Sequence, residues 1–465
     1  MKRFALLGAL LLAAACAPDR TPVAPTAAVR STGSTANSGD PNDDFHSLPH
    51  ADGEEGSHFR LGHISWRKTG PLTAEFTYVV AFRRSFYSPL PNVGNVLSLA
   101  IVNFGAGQGS ATLPFTVTFV DPANDWFEAR ATFAKTLTTA GPHAITSTGC
   151  CRIGIGTTPG WAHINNPDIG IQYWGTVNLN YDGSPATTLP PMVTCAIGGL
   201  CSFFVTATVP EGLKVRWRLA TAAEMGDGSS TQPGPPDAPN GASVDPITGL
   251  YTWNTTFATL YPADPSRKVV YSTQVVMEGL DVNTNAVVTR SMIDFLILLA
   301  NIQVNAPPAF QPPTPLDGST YVANPGVPLN LALSATDPNA GDVVTITALG
   351  MPAGATLTGT PGNPANSAFS FTASAGQAGQ SFAVSFVPTD NHGLSGSQRS
   401  IIINVPSNQP PTAVITGPTE APEGSGIDLD GSGSSDPDHD QLHYQWDVNG
   451  SPAGGDSPSL HIQVG

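Results

Sequence analysis

From residue 58 onward, apolar and polar residues alternate with a period of two, which is the period of a strand. No stretch carries the three-to-four-residue spacing of an amphipathic helix. FRLGHISW (59–66), AEFTYVVAF (74–82) and LPFTVTFV (113–120) follow this pattern, as do two runs flanking the Gly141-Pro142 turn and WGTVNLNY (174–181). Together they predict a β-sandwich over 58–188. After the proline-rich SPATTLPP, five more strands follow: CSFFVTATV, KVRWRLA, GLYTWNT, VVYSTQVVM and SMIDFLILL, a second unit over 189–305. MIDFLILLANIQV (292–304) is apolar almost throughout but broken by Asp294, and so reads as a buried strand rather than a membrane span. LNLALSATD, VVTITALG, AFSFTAS, SFAVSFVPTD and RSIIINV define a third unit over 306–406, and GIDLDGSGS with LHYQWDVNG a fourth over 407–465. Val193, Ala309 and Val414 each follow a proline pair and open a unit. The fold expected is all-β, a tandem array of Ig-like sandwiches. Each unit is long enough for its own core, so they should behave as beads on a string.

The first residues change the picture. Lys2 and Arg3 precede FALLGALLLAAA, an apolar run too short to span a bilayer, which ends at Cys16. AAAC resembles the lipobox of bacterial lipoprotein signal peptides. That resemblance implies a signal peptide over 1–15, lipidation of Cys16 and, with Ala17 next, sorting to the outer membrane. A plain secretory signal is the alternative. Residues 16–57 are rich in Pro, Ala, Thr, Ser and Gly without an apolar period, and read as a disordered tether. The Gly (48) and Pro (44) content with 12% charged residues fits many short strands and turns. A net charge of −16 without basic clusters excludes nucleic acid as a partner. Four cysteines remain. Cys195 and Cys201 flank the AIGGL turn and can form a local disulfide. Cys150 and Cys151 are adjacent, and can bridge each other or pair elsewhere.

No G-x-S-x-G, Walker, H-E-x-x-H or C-x-x-C pattern is present, so no catalytic residue is assigned. Asp436, Asp438, Asp440 and Asp447 have EF-hand spacing, but Gln441 stands where the turn needs glycine and a strand follows in place of a helix. PPTAVITGP and EGSGIDLDGSGSSDPDHDQLHYQWD resemble a PKD domain, truncated here, with Tyr444 and Trp446 directed to its core. ATDPNAGDVVTITALGMPAGATL and PTDNHGLSG resemble cadherin-like repeats of bacterial surface proteins. The resemblance implies that Asp337, Asn339, Asp342, Asp390 and Asn391 sit in loops at strand ends where calcium can stiffen a junction. Asp436, Asp438 and Asp440 are weaker calcium candidates. Turn formation alone is the simpler account of all these residues. Trp126, Trp161 and Trp174 are candidates for stacking on sugars, with core packing as the alternative.

The reading is a non-catalytic, lipid-anchored surface protein of a bacterium with an adhesion or spacer role, binding an unidentified extracellular protein or polysaccharide. The alternative is an accessory region of a longer secreted hydrolase.

Overall fold

The structure, a computed structural model, describes residues 59–463 apart from 106, 150–151, 154–159, 168–169, 227, 229, 235–240, 259–266, 301–304, 408–410, 437–440 and 450. Cys16 with the signal peptide and tether, Cys150, Cys151, Asp438 and Asp440 lie outside the described residues.

The chain is all-β. The first fifteen strands are β1 (Phe59–Gly70), β2 (Thr73–Arg83), β3 (Val96–Asn103), β4 (Ser110–Asp121), β5 (Trp126–Thr136), β6 (His143–Gly149), β7 (Trp161–His163), β8 (Ile171–Val177), β9 (Met192–Ala196), β10 (Leu200–Phe204), β11 (Leu213–Leu219), β12 (Ser243–Val244), β13 (Leu250–Asn254), β14 (Lys268–Asp281) and β15 (Val287–Ala300). The order β1-β2-β5-β4-β3-β6-β8 leads to β15, and β15 pairs back onto β1, so these strands form a closed circuit. Closure removes sheet edges that would otherwise recruit other strands. It rests on short contacts: Arg290 opposite Thr176, and Gly62 and His63 opposite Asp294 and Ile293. Gly62 is required there, because the Tyr173 ring occupies the space a Cβ would fill. Phe59, Phe76, Tyr78, Phe82, Phe104, Phe115 and Phe127 fill the enclosed core.

The outer edge of β15 carries β14 and then β11, and the small sheet β10-β13-β12 adds a separate layer. Successive residues of the β14–β15 hairpin serve different cores. Val276 and Met292 belong to the first, and Val275, Met277 and Ile293 to the second, which also holds Phe203, Trp217, Tyr251 and Phe295. Both faces of the hairpin are buried, which is why 292–300 is apolar apart from Asp294. Cys195 and Cys201 are bridged, tying β9 to β10.

Residue 188 is therefore not a boundary between independent sandwiches. The proline-rich stretch looks like a surface linker but is a buried strap. Ala186 and Thr208 exchange backbone hydrogen bonds of 2.9 and 2.8 Å, the Thr187 N–H donates to His63 Nε2 at 3.3 Å, and Leu189 is buried.

The third unit comprises β16 (Ala309–Gln311), β17 (Thr320–Val322), β18 (Pro328–Thr336), β19 (Thr345–Leu349), β20 (Ala355–Thr360), β21 (Ala365–Thr372), β22 (Ser381–Thr389) and β23 (Arg399–Asn404). Its sheets β16-β18-β21-β20 and β17-β23-β22-β19 close over Phe310, Leu333, Phe369, Phe371, Phe386 and Ile401. It is not a free bead. Leu349 and Val387 belong to the second core, Ser385 Oγ donates to the Thr188 carbonyl at 2.6 Å, and the Phe204 N–H donates to Asp317 at 3.1 Å. The fourth unit has two strand pairs. β24 (Gly426–Asp430) pairs with β27 (Ser459–Gln463), and β25 (Trp446–Val448) with β26 (Ser451–Ala453), with Trp446 and Leu460 buried.

A polar seam crosses the shared hairpin. Asp294 of β15 and Arg152 are both fully buried and ion-paired, and Gln274 donates to the same carboxylate at 3.3 Å. Burial raises the Asp294 pKa, and Arg152 opposes that rise. His63 donates from Nδ1 to the Met292 carbonyl at 2.9 Å, and His163 likewise to Ile153 at 2.9 Å, with each Nε2 accepting a backbone N–H. Burial lowers His63 to about 4 and His163 to about 3.

Two outcomes are expected. Asp294→Ala strands a buried guanidinium and should cost about 3–5 kcal/mol in urea unfolding, while Arg152→Met/Asp294→Leu should lie much nearer the parent. An equal loss in both would reject the seam as an ion pair. The histidines are neutral when folded and charge more readily when unfolded. Their stabilisation is complete above the unfolded pKa of about 6.5 and declines as pH falls toward 4, by roughly 2–3 kcal/mol for each histidine. Buried Glu128 and Asp294, with raised pKa values, lean the other way. The diagnostic is therefore a shallower fall of melting temperature between pH 6.5 and 4.5 in His63→Gln than in the parent.

Candidate metal centre

Asp337 follows β18, Asp342 lies in the loop before β19, and Asp390 follows β22, so the sandwich brings them to one end. Short polar residues form these loops because they bond their own backbone. Asp337 Oδ1 accepts the Asn339 N–H at 2.7 Å. Asp390 Oδ1 accepts from the N–H groups of His392 and Leu394, each at 2.8 Å. One oxygen of each of these two carboxylates thus shapes its own loop.

One ligand oxygen from each of Asp337, Asp342 and Asp390 lies within 4.8 Å of the others, and all three residues are buried. Asp337 Oδ2 and Asp342 Oδ2 are buried without a hydrogen-bond partner. Asp390 Oδ2 accepts from Asn305 Nδ2 at 2.7 Å, and Asp342 Oδ1 lies 3.2 Å from His392 Nε2. Burial raises the Asp337 carboxyl, and the charges of Asp342 and Asp390 push it further the same way. Without a cation the arrangement is self-repelling.

The donor set fits calcium. Oxygens about 2.3–2.6 Å from a common ion lie at most about 5 Å from one another, which accommodates the observed spread. The three carboxylates offer hard ligands and a triple negative charge, with further oxygens needed from backbone or water.

Asn339 and Asn391 have a different task. Asn339 Oδ1 accepts the Ala306 N–H at 2.9 Å, and Asn391 Oδ1 accepts the Val343 N–H at 2.9 Å. They pin the linker and the loop while the aspartates converge. Asn305 and Ala306 went unrecognised in the sequence. Their only signal was position, just ahead of the proline pair that opens the repeat. Asp436 is described in the fourth unit and belongs to no acidic group among the described residues.

None of the three tryptophans is an exposed platform for a polysaccharide. Trp126, Trp161 and Trp174 are 5%, 7% and 9% exposed. Trp126 packs against Phe119 at 5.1 Å, the Trp161 ring faces Lys268 at 5.1 Å and Arg60 at 5.8 Å, and Trp174 lies in the first core. Covered by protein, the Trp161 and Trp174 rings have no face to offer a sugar, whereas Trp126 borders a small cleft rather than an open surface.

Residues 60–155, the β1–β6 part of the closed circuit, match the family model described as Integrin beta-like protein A-E, N-terminal. Integrin beta-like protein C of Dictyostelium discoideum is 27% identical over 406 residues, covering 76% of this chain and 19% of that protein. Integrin beta-like protein A of the same organism is 24% identical over 238 residues, covering 49% and 12%. The chain thus spans about a fifth or less of the length of these curated relatives. Among solved structures, the N-terminal four Ig domains of Dscam1 align at 11% identity with a TM-score of 0.23, covering 88% of this chain and 93% of that one. That score is too low to define a shared arrangement, and the fold rests on the strand pairings above.

Proposed function

We propose that this chain is a non-catalytic adhesion or binding module, displayed outside the cell. Its third sandwich is locked to the rest by calcium at Asp337, Asp342 and Asp390. The observation that carries the proposal is the convergence of those three buried carboxylates beside the linker residues Asn305 and Ala306. An ion there neutralises the repulsion and fixes the loops that hold the linker. The adhesion role draws support from similarity to proteins named integrin beta-like. The finer reading, a lipid anchor at Cys16 holding the array at a bacterial surface, draws support from the lipobox-like AAAC alone. The ligand expected is an extracellular protein or polysaccharide.

Calcium should raise the melting temperature of the full chain relative to chelator, because an ion bound only by the folded state stabilises it. Asp337→Asn should abolish the rise and, in chelator, melt higher than the parent because one repelling charge is gone. A parent indifferent to calcium would remove the ion from the proposal.

The adhesion role is tested by expressing the full chain in a bacterium. Cells displaying the parent should adhere to protein- or polysaccharide-coated wells above vector controls. Cys16→Ser should release the protein to the medium and return adhesion to background. Equal adhesion of vector cells would reject the adhesive role, and undiminished surface display of Cys16→Ser would reject the anchor.

A further inference from the structure

The loop that ends β22 also walls a cleft of about 280 Å3. Three parts of the chain meet there: the β4–β5 turn, the end of the strap with β9, and the β19–β22 pair. Its apolar surface comes from Trp126, Met192, Leu298, Leu349 and Val387. Thr194, Thr345 and Thr347 add hydroxyls. The charged lining residues are Asp121 and Asp390, and no lysine or arginine lines it among the described residues.

The walls are held before any ligand arrives. Both Asp121 oxygens are engaged by Asn124, through its N–H at 3.0 Å and Nδ2 at 2.9 Å. Gly393 packs against Ala123, so the third sandwich's loop is seated on the β4–β5 turn. The nearby cation is Lys268, whose Nζ donates to Asn124 Oδ1 at 2.7 Å and lies 5.1 Å over the Trp161 ring. It lies outside the lining, but its charge acts on both Asp121 and Asp390, so the two carboxylates leave one negative charge in excess there.

We propose that this cleft binds a small organic cation, with its apolar body on the Trp126–Met192–Leu349 surface and its ammonium group toward Asp121 and Asp390. Junctions between packed units are preferred places for ligands, and this volume suits one compact molecule rather than a polymer. Charge decides the class. A carboxylate ligand would be desolvated against two carboxylates, whereas an ammonium ion complements them. A preformed wall lowers the ordering cost of binding. Asp390 is shared with the proposed calcium group, so the test is made in chelator to keep the two readings apart.

The probe is phenethylammonium, with phenylacetate as the matched anion, measured on the full chain by saturation-transfer NMR. Phenethylammonium should saturate with a Kd of about 1–10 mM, as its few non-hydrogen atoms allow, and phenylacetate should bind at least tenfold more weakly. Asp121→Asn should weaken the cation about threefold to tenfold. Thr347→Trp fills the cleft and should abolish binding. Thr345→Arg, at an exposed lining position, is the backup should the tryptophan variant misfold, and it should reverse the preference toward phenylacetate. Equal binding of both probes, no saturation by about 50 mM, or cation binding that survives Thr345→Arg unchanged would overturn the proposal.

Discussion

The β14–β15 hairpin holds the architecture together because it has no solvent face. One side of Val276 and Met292 completes the first core, and the other side, through Val275, Met277 and Ile293, completes the second. A strand that is buried twice cannot move without opening both cores. It also fixes the register of everything paired to it, because a slip of one residue would exchange the two sets of side chains. Closure of the circuit onto β1 follows from the same strand.

That double burial explains the polar seam. Asp294 sits in the middle of an apolar strand, where an unpaired carboxylate would be untenable. Arg152 and Gln274 answer it from other segments, and His63 and His163 are kept neutral by hydrogen bonds to neighbouring backbone. Such groups contribute little net stability when paired but penalise any alternative packing that separates them. The seam thus selects one arrangement of the shared wall.

Local pattern made much of this visible. The grouping of Asp337, Asp342 and Asp390 was implied only by the resemblance to cadherin-like repeats, whereas the strands of the third unit, the burial of 292–300 and the Cys195–Cys201 bridge follow from alternation or from spacing within short windows. The closed circuit did not, because it joins Gly62 to Asp294 across most of two expected units, and alternation says nothing about which distant strand is the neighbour. The boundary set between 188 and 189 failed because proline-rich composition reports a lack of regular structure, not the end of a packed unit. The tryptophans misled for a related reason: a ring near glycine-rich loops can still be covered by Lys268 and Arg60 from elsewhere in the chain.

Antiparallel pairing of β1 with β15 has a mechanical consequence. Gly62 faces Asp294, so Phe59, where the described chain begins, and Ala300, where it leaves the hairpin, lie toward the same end of neighbouring strands. A pull applied between residues 59 and 300 would enter and leave at that one end. It would tend to peel the two strands apart one hydrogen bond at a time, rather than slide them past each other with many bonds resisting together. The rest of the closed circuit would hang beside the line of tension and stay relaxed until the seam gave way.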